Sequence, residues 1–210
     1  MSKHTIIRLS RYKNALYRFE SLGFVKVFSD NLADAIGVTP SQVRKDFSMF
    51  GLSGNKRGGY KVDELLAKLN EILGTNKAHN VIVAGAGNLG SALIKYKGFE
   101  KENIKITAAF DIDHSKGERA GEIPVKPFDE MQEYVRQNDI RVGIIAVPDM
   151  AAQHVADVMM AGGIKGILNF APIRLRVDEG IVVNNVNLAL ELENIIYFIC
   201  VPMGSGKGIK

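Results

Sequence analysis

The chain has 210 residues, 46% hydrophobic and 24% charged, with a formal charge of +4 and a single cysteine, Cys200. This length holds one large domain or two small ones around buried cores, and one cysteine excludes an internal disulfide and a cysteine-rich zinc site. No apolar run is long enough to span a bilayer, and Met1-Ser2-Lys3-His4-Thr5 lacks an apolar signal core, so a cytoplasmic protein without a membrane partner is expected.

The charge is divided unevenly. Residues 1–80 carry thirteen Lys and Arg against seven Asp and Glu, whereas the remainder carries fourteen against sixteen. A basic N-terminal part points to a polyanion partner or to a basic solvated face.

In chain order, Leu9, Tyr12, Ala15, Leu16, Phe19 and Leu22 recur at helical spacing, with Arg8, Arg11 and Lys13 near the start and Gly23 at the end. Phe24 to Phe28 is extended. Ser29 is expected to cap a second helix, which closes at Gly37. A third helix then opens with Thr39 as N-cap, Pro40 in the first turn and Gln42 completing a capping box, and runs to about Phe50. Two short helices joined by a tight turn make a helix-turn-helix. Val43, Phe47 and Phe50 face inward, while Ser41, Gln42, Arg44 and Lys45 point outward, where a recognition helix meets base edges. Arg suits guanine and Gln suits adenine. Gly54-Asn55-Lys56-Arg57-Gly58-Gly59-Tyr60 reads as the wing of a winged helix, with Lys56 and Arg57 at its tip. The expected DNA contacts are thus Arg8, Arg11, Ser41, Gln42, Arg44, Lys45, Lys56 and Arg57. A helical substrate-binding or dimerisation subdomain is the alternative.

A further helix spans Val62 to Leu73, and the polar stretch Gly74-Thr75-Asn76-Lys77 marks a boundary. Val81-Ile82-Val83-Ala84 then leads into Gly85-Ala86-Gly87-Asn88-Leu89-Gly90. In this G-x-G-x-x-G pattern the first glycine turns the chain, the second lets backbone approach a pyrophosphate and the third packs helix on strand. Phosphate meets unpaired N–H groups at the helix start. The next strand, Ile104 to Phe110, ends at Asp111, a carboxylate placed for ribose hydroxyls and against a 2′-phosphate, so NAD(H) is expected. Ile112 and Lys116 follow in the same loop. Phe128–Gln137 is helical, Val142–Val147 is a buried strand, and Pro148-Asp149 opens a helix to Met160. Gly166–Phe170 and Ile181–Asn184 are further strands. Ala146-Val147-Pro148 and Asn169-Phe170-Ala171-Pro172 lie at strand C-termini and are candidate nicotinamide walls, or ordinary strand-end turns. Val186 to Val201 is an apolar-faced helix that packs on its own sheet or on a second copy.

Residues 1–77 are therefore expected to form a winged-helix domain and 78–186 a Rossmann-type, doubly wound parallel sheet. A C-terminal dimerisation helix at 187–203 and a flexible tail at 204–210 complete this α/β chain. The histidines are scattered, and no metal-ligand spacing, nucleophile elbow or acid–base pair stands out. No second domain remains for a hydride-transfer substrate, so catalysis is not expected. A small NAD-dependent oxidoreductase and a CoA-binding subunit are the rival readings.

Several motifs occur in register: Val43-Arg44-Lys45-Asp46, Phe50-Gly51, Arg57-Gly58-Gly59-Tyr60, Gly85 to Gly90, Phe110-Asp111 and Asn169-Phe170-Ala171-Pro172. Together they resemble the Rex family of redox-sensing transcriptional repressors across nearly the whole chain. The resemblance implies a homodimer on a palindromic double-stranded operator, released by NADH, with the C-terminal helix exchanged between subunits. It also implies a redox relay between a carboxylate and the tyrosine matching Tyr96. This chain has Asn187 where that carboxylate is expected, so any relay here is a neutral hydrogen bond.

Overall fold

The computed structural model describes residues 2–54, 58–113 and 123–200 and divides into two compact units, 1–78 and 79–210. Lys56, Arg57, Lys116 and the tail at 204–210 lie outside the described residues. In the first unit, α1 (Lys3–Ser21) is capped by the Ser2 hydroxyl, which accepts the His4 N–H at 3.2 Å. Its apolar stripe stops short of Leu22, which sits at the C-cap and is exposed. Strand β1 (Lys26–Val27) follows, then α2 (Ser29–Ile36). Ser29 is inside that helix rather than its cap. Phe28 occupies the cap position, and the Asn31 side chain accepts its N–H at 2.8 Å. Helix α3 (Pro40–Met49) opens on the Thr39 hydroxyl, which accepts the Gln42 N–H at 3.2 Å. The Gln42 side chain does not close a capping box; its amide turns forward to Asp46 at 2.8 Å. Strand β2 (Tyr60–Lys61) pairs antiparallel with β1 and leads into α4 (Val62–Leu73). Leu9, Leu16, Leu32, Val43 and Leu69 are fully buried around Phe47, whose ring meets Tyr12 and Tyr60 edge-on at 5.2 Å each.

The second unit is a six-stranded sheet. Its strands are β3 (His79–Ala84), β4 (Ile104–Asp111), β5 (Val125–Pro127), β6 (Val142–Ile145), β7 (Gly166–Asn169) and β8 (Val182–Asn185). They run in the order β5-β4-β3-β6-β7-β8, every pair parallel. This is the order of a doubly wound dinucleotide fold, reversing between β3 and β6. Helices α5 (Asn88–Ile94), α6 (Met131–Gln137), α7 (Asp149–Gly162) and α8 (Leu188–Cys200) complete the described elements, with 3₁₀ turns at Lys97–Glu102 and Phe128–Glu130. Both faces of the sheet are covered. Ile82, Phe110 and Ile145 pack with Met131, Val135 and Met159 on one side, and Val81, Val83, Ile106 and Ile144 form the core of the other. Strand β5 escapes a sequence reading because Val125-Lys126-Pro127 has no apolar run; an edge position tolerates its proline. The last helix begins at Leu188 rather than Val186, because the Asn187 side chain accepts the Leu190 N–H at 3.1 Å and caps it. None of its residues is buried, and eight large apolar side chains on it are exposed. It does not pack on its own sheet.

A polar cluster fixes α3 against α1. Asp46, with a side chain 1% exposed, accepts two 2.7 Å bonds from Arg8, one of 3.0 Å from the Tyr12 hydroxyl and one of 2.8 Å from Gln42. Burial pushes the Asp46 carboxyl up, but the bonds from Arg8, Gln42 and Tyr12 outweigh it and hold it below the ordinary value. The stabilisation is therefore complete above the unfolded carboxyl pKa of about 4 and is lost as pH falls through the lower folded value. Arg8→Met leaves Asp46 with two neutral partners. Because Arg8 itself is partly solvated, we expect a loss of about 2–3 kcal/mol at neutral pH, below the full effect of breaking a buried pair. Hydrogen exchange of the α3 amides in the full chain measures this, and the gap between wild type and variant should close as acid protonates Asp46.

Candidate nucleotide cleft and nucleic-acid interface

The first candidate site lies at the C-terminal ends of β3, β4 and β6, where ligands bind in open parallel sheets. Gly85 has φ +99° and donates its N–H to the Phe110 carbonyl at 2.8 Å, so the turn begins while still attached to β4. A Cβ on Gly85 would strike the Ala146 carbonyl, and one on Gly90 would strike the Gly85 carbonyl. A Cβ on Gly87 would meet nothing within 4 Å. The three glycines thus have different reasons to be there. Gly85 and Gly90 are required by the turn itself, whereas Gly87 leaves open the space where a pyrophosphate would lie against backbone. Gly87 is the N-cap of α5 and offers no side-chain acceptor to the first-turn amides.

Asp111 closes the turn from the neighbouring strand. Its Oδ2 accepts the Ala86 N–H at 2.7 Å and its Oδ1 accepts the Asp113 N–H at 2.9 Å. The Ser91 hydroxyl donates to the Ala86 carbonyl at 2.9 Å. Both polar atoms of the Ala86 backbone are therefore satisfied by side chains, and Ala86 is fully buried.

A cleft of about 530 Å³ opens beside this turn, lined by Gly85, Gly87, Asp111 and Ile112 and by Ala146, Val147 and Pro148. Ala146 to Pro148, the candidate nicotinamide wall, thus share one cleft with Asp111. Asn88 and Leu89 are exposed at the start of α5. Asn169, Phe170, Ala171 and Pro172 do not line the cleft. Asn169 is fully buried; its Nδ2 lies 3.1 Å from the Ala171 carbonyl, 3.0 Å from that of Ile173 and 2.9 Å from Asn185 Oδ1, and its Oδ1 accepts the Ala171 N–H. Its work is to hold the loop after β7 to β8. Phe170 packs into the apolar cluster around Val81, Ala171 into the one around Ile82, and Pro172 is exposed. Tyr96 is exposed against Phe99, Asn187 caps α8, and no hydrogen bond joins the two. Phe128, Asp129, Ala151, His154 and Val155 line the cleft without having been anticipated. The three residues from α7 were available from spacing, because positions three and four apart share one helix face. The other two follow the strand that sequence reasoning missed. Among the described lining residues the charged groups are carboxylates, which suits free ribose hydroxyls and opposes a phosphate ester there.

In the other unit, Ser41, Arg44 and Lys45 are exposed at the start of α3, and Arg11 is exposed on α1. Arg44 and Lys45 form no ion pair with any described residue, so their charge is available to a polyanion. Arg8 is different: its guanidinium holds Asp46, which makes it a structural residue of the α1–α3 contact rather than a free phosphate ligand.

Comparison with known proteins adds to this geometry. Family profiles described as "CoA binding domain" and "Putative DNA-binding protein N-terminus" match residues 76–173 and 1–48 respectively. A redox-sensing transcriptional repressor Rex from Carboxydothermus hydrogenoformans is 44% identical over 196 residues, covering 93% of this chain and 94% of that one. The solved structure of RSP with β-NAD+ and operator DNA is similar at TM-score 0.89 and 36% identity, covering 95% of this chain and 92% of that one. RSP with β-NADH gives a TM-score of 0.84 at 36% identity, covering 95% and 94%.

The glycine geometry yields a paired prediction. Gly87→Ala should preserve the apo fold to within about 1 kcal/mol, since only an N-cap preference is lost. It should nevertheless weaken NADH binding about tenfold or more, on the order of 1.4 kcal/mol. Gly90→Ala should disturb the fold of the second unit itself. Thermal melts and NADH titrations of both variants separate the two roles; equal melting temperatures for all three chains would contradict the assignment.

Proposed function

The chain belongs to the Rex family of redox-sensing transcriptional repressors, and we propose that it is a homodimeric repressor whose operator affinity follows the NADH/NAD+ ratio. The observation that carries this reading is the likeness, over 95% of the chain, to RSP crystallised with NAD+ on operator DNA and with NADH. In this reading Arg44, Lys45, Ser41 and Gln42 on α3 meet the major groove, and the basic tip of the wing reaches phosphate or the minor groove. Asp111 and the turn at Gly85–Gly90 bind NAD(H). The exposed apolar face of α8 supports a dimer in which a second subunit covers it, by the helix exchange that the resemblance implies.

The NAD+ ring carries a positive charge and the NADH ring does not. Desolvation penalises the cation; a preference for NADH therefore requires the ring to lie away from Asp111 and Asp129, and Asn187 supplies no further carboxylate. Signalling further requires that NADH favour the DNA-incompetent dimer, because equal affinity for both states shifts nothing. A coupling of about 3 kcal/mol would change operator affinity roughly 150-fold. A change of angle near residues 74–80 would move the two recognition helices of a dimer off the spacing of about one DNA turn.

The profile named for CoA gives the CoA-binding alternative its support. Asp111 and Asp129 in the cleft oppose the 3′-phosphate that CoA carries next to its ribose. An NADH and CoA titration of the same preparation should show NADH as the tighter ligand.

At fixed salt, NADH should release the protein from operator DNA and NAD+ should not; equal release by both would refute ratio sensing. Arg44→Ala should lose operator discrimination with unchanged NADH affinity, measured by DNA titration and ligand fluorescence. Asp111→Ala should weaken NADH binding while the apo-protein still binds DNA.

A further inference from the structure

The interface on α3 contains one side chain whose hydrogen-bonding state is already set in the free protein. Gln42 lies in the first turn of α3, its backbone fixed by the Thr39 cap. Its Nε2 donates to Asp46 Oδ1 at 2.8 Å. The orientation of this amide follows from its partner. Asp46 already accepts from Arg8 and Tyr12, so it is an ionised carboxylate with nothing to donate, and a Gln42 oxygen facing it would be repelled. The amide therefore cannot turn over. Its Oε1 has no hydrogen-bond partner among the described residues, and no buried side-chain oxygen among them lacks one, so Oε1 reaches solvent. The amide thus keeps its Oε1 acceptor, and no second bond from its Nε2 is formed to a described residue.

We propose that Gln42 is the residue that selects an adenine in each half-site, with Asp46 as the positioning residue that holds its amide for the purpose. An amide that retains its acceptor and one donor hydrogen is the group that pairs with the adenine edge in the major groove, N6–H₂ and N7. Guanine offers two acceptors there, thymine an acceptor and a methyl group, and cytosine a donor without the adjacent N7. Because Asp46 occupies one hydrogen and Arg8 and Tyr12 hold Asp46, the reading geometry exists before DNA arrives, and little side-chain ordering is left for binding. The same anchor explains why a buried carboxylate sits on the inner face of a DNA-reading helix: it orients α3 and the amide together. This inference rests on the DNA-binding reading above and adds the base to it.

The test is selection from a pool of randomised duplexes, with wild type and Gln42→Ala in parallel, followed by titration of the selected duplexes. Wild type should enrich a sequence with an A·T pair at one symmetry-related position in each half. Gln42→Ala should lose the preference there while keeping the others, and replacing that pair should weaken wild-type binding about tenfold or more, in the range of one bidentate base contact. Identical enriched sequences for both proteins, or a lost preference at a pair other than A·T, would overturn the assignment. A wild-type pool with no enriched sequence would sink the DNA-binding reading as well. The anchor is tested separately by side-chain amide NMR of the free full-length protein. The Gln42 amide hydrogens should exchange with water more slowly than those of solvent-exposed amides, and free exchange would remove Asp46 from the proposal.

Discussion

One hydrogen bond organises the second unit: the Asp111 carboxylate accepting the Ala86 N–H at 2.7 Å. It joins the end of β4 to the turn leaving β3, so the two strands that flank a dinucleotide are fixed to each other at their ligand-binding ends. The turn is not held by its glycines alone. They permit its path, while Asp111 from one side and Ser91 from the other satisfy the buried backbone of Ala86. A carboxylate on a backbone N–H is a strong, charge-assisted bond, and the same Asp111 that holds the turn also lines the cleft beside it. The residue that the sequence marks for the ligand is also the one that shapes the ligand's seat.

The polar cluster in the first unit follows the same logic. Asp46 is buried, binds a partner on α1, and holds the Gln42 amide. In both units a carboxylate is satisfied from within the fold and sits next to a surface that meets a ligand. Arg8 is spent on such an internal network, whereas Arg44 and Lys45 pair with no described residue.

Local signals carried much of this architecture. Thr39 and Pro40 mark the start of α3 because capping and proline geometry are properties of adjacent residues. The alternation of apolar runs with helical segments gives the parallel sheet, and Gly85, Gly87, Gly90 and Asp111 give the turn. What escaped depends on partners distant in sequence. Arg8 and Asp46 lie thirty-eight residues apart, and nothing local pairs them. Asn169 resembled a ligand-facing strand end, but Asn185 and two loop carbonyls consume its amide. Strand β5 has too few residues, one of them proline, to show a period. The exposure of α8 is not legible either, since an apolar stripe says what must be covered and not by which chain.

The strand order also bears on how the second unit is made. The first strand synthesised, β3, is at the centre, and each later strand adds to an outer edge: β4 then β5 on one side, β6 then β7 then β8 on the other. No strand has to be inserted between two already paired, so the sheet can grow in the order of synthesis. The two sides are not built at the same time. Fifty-eight positions separate the end of β3 at Ala84 from the start of β6 at Val142, roughly 3 to 12 s of chain elongation. By the end of that interval the glycine turn and Asp111 exist while Ala146 to Pro148, the opposite wall of the cleft, do not. The helical first unit, which ends at Ala78, is already synthesised. A nascent chain therefore possesses its DNA-reading surface before it possesses its sensor.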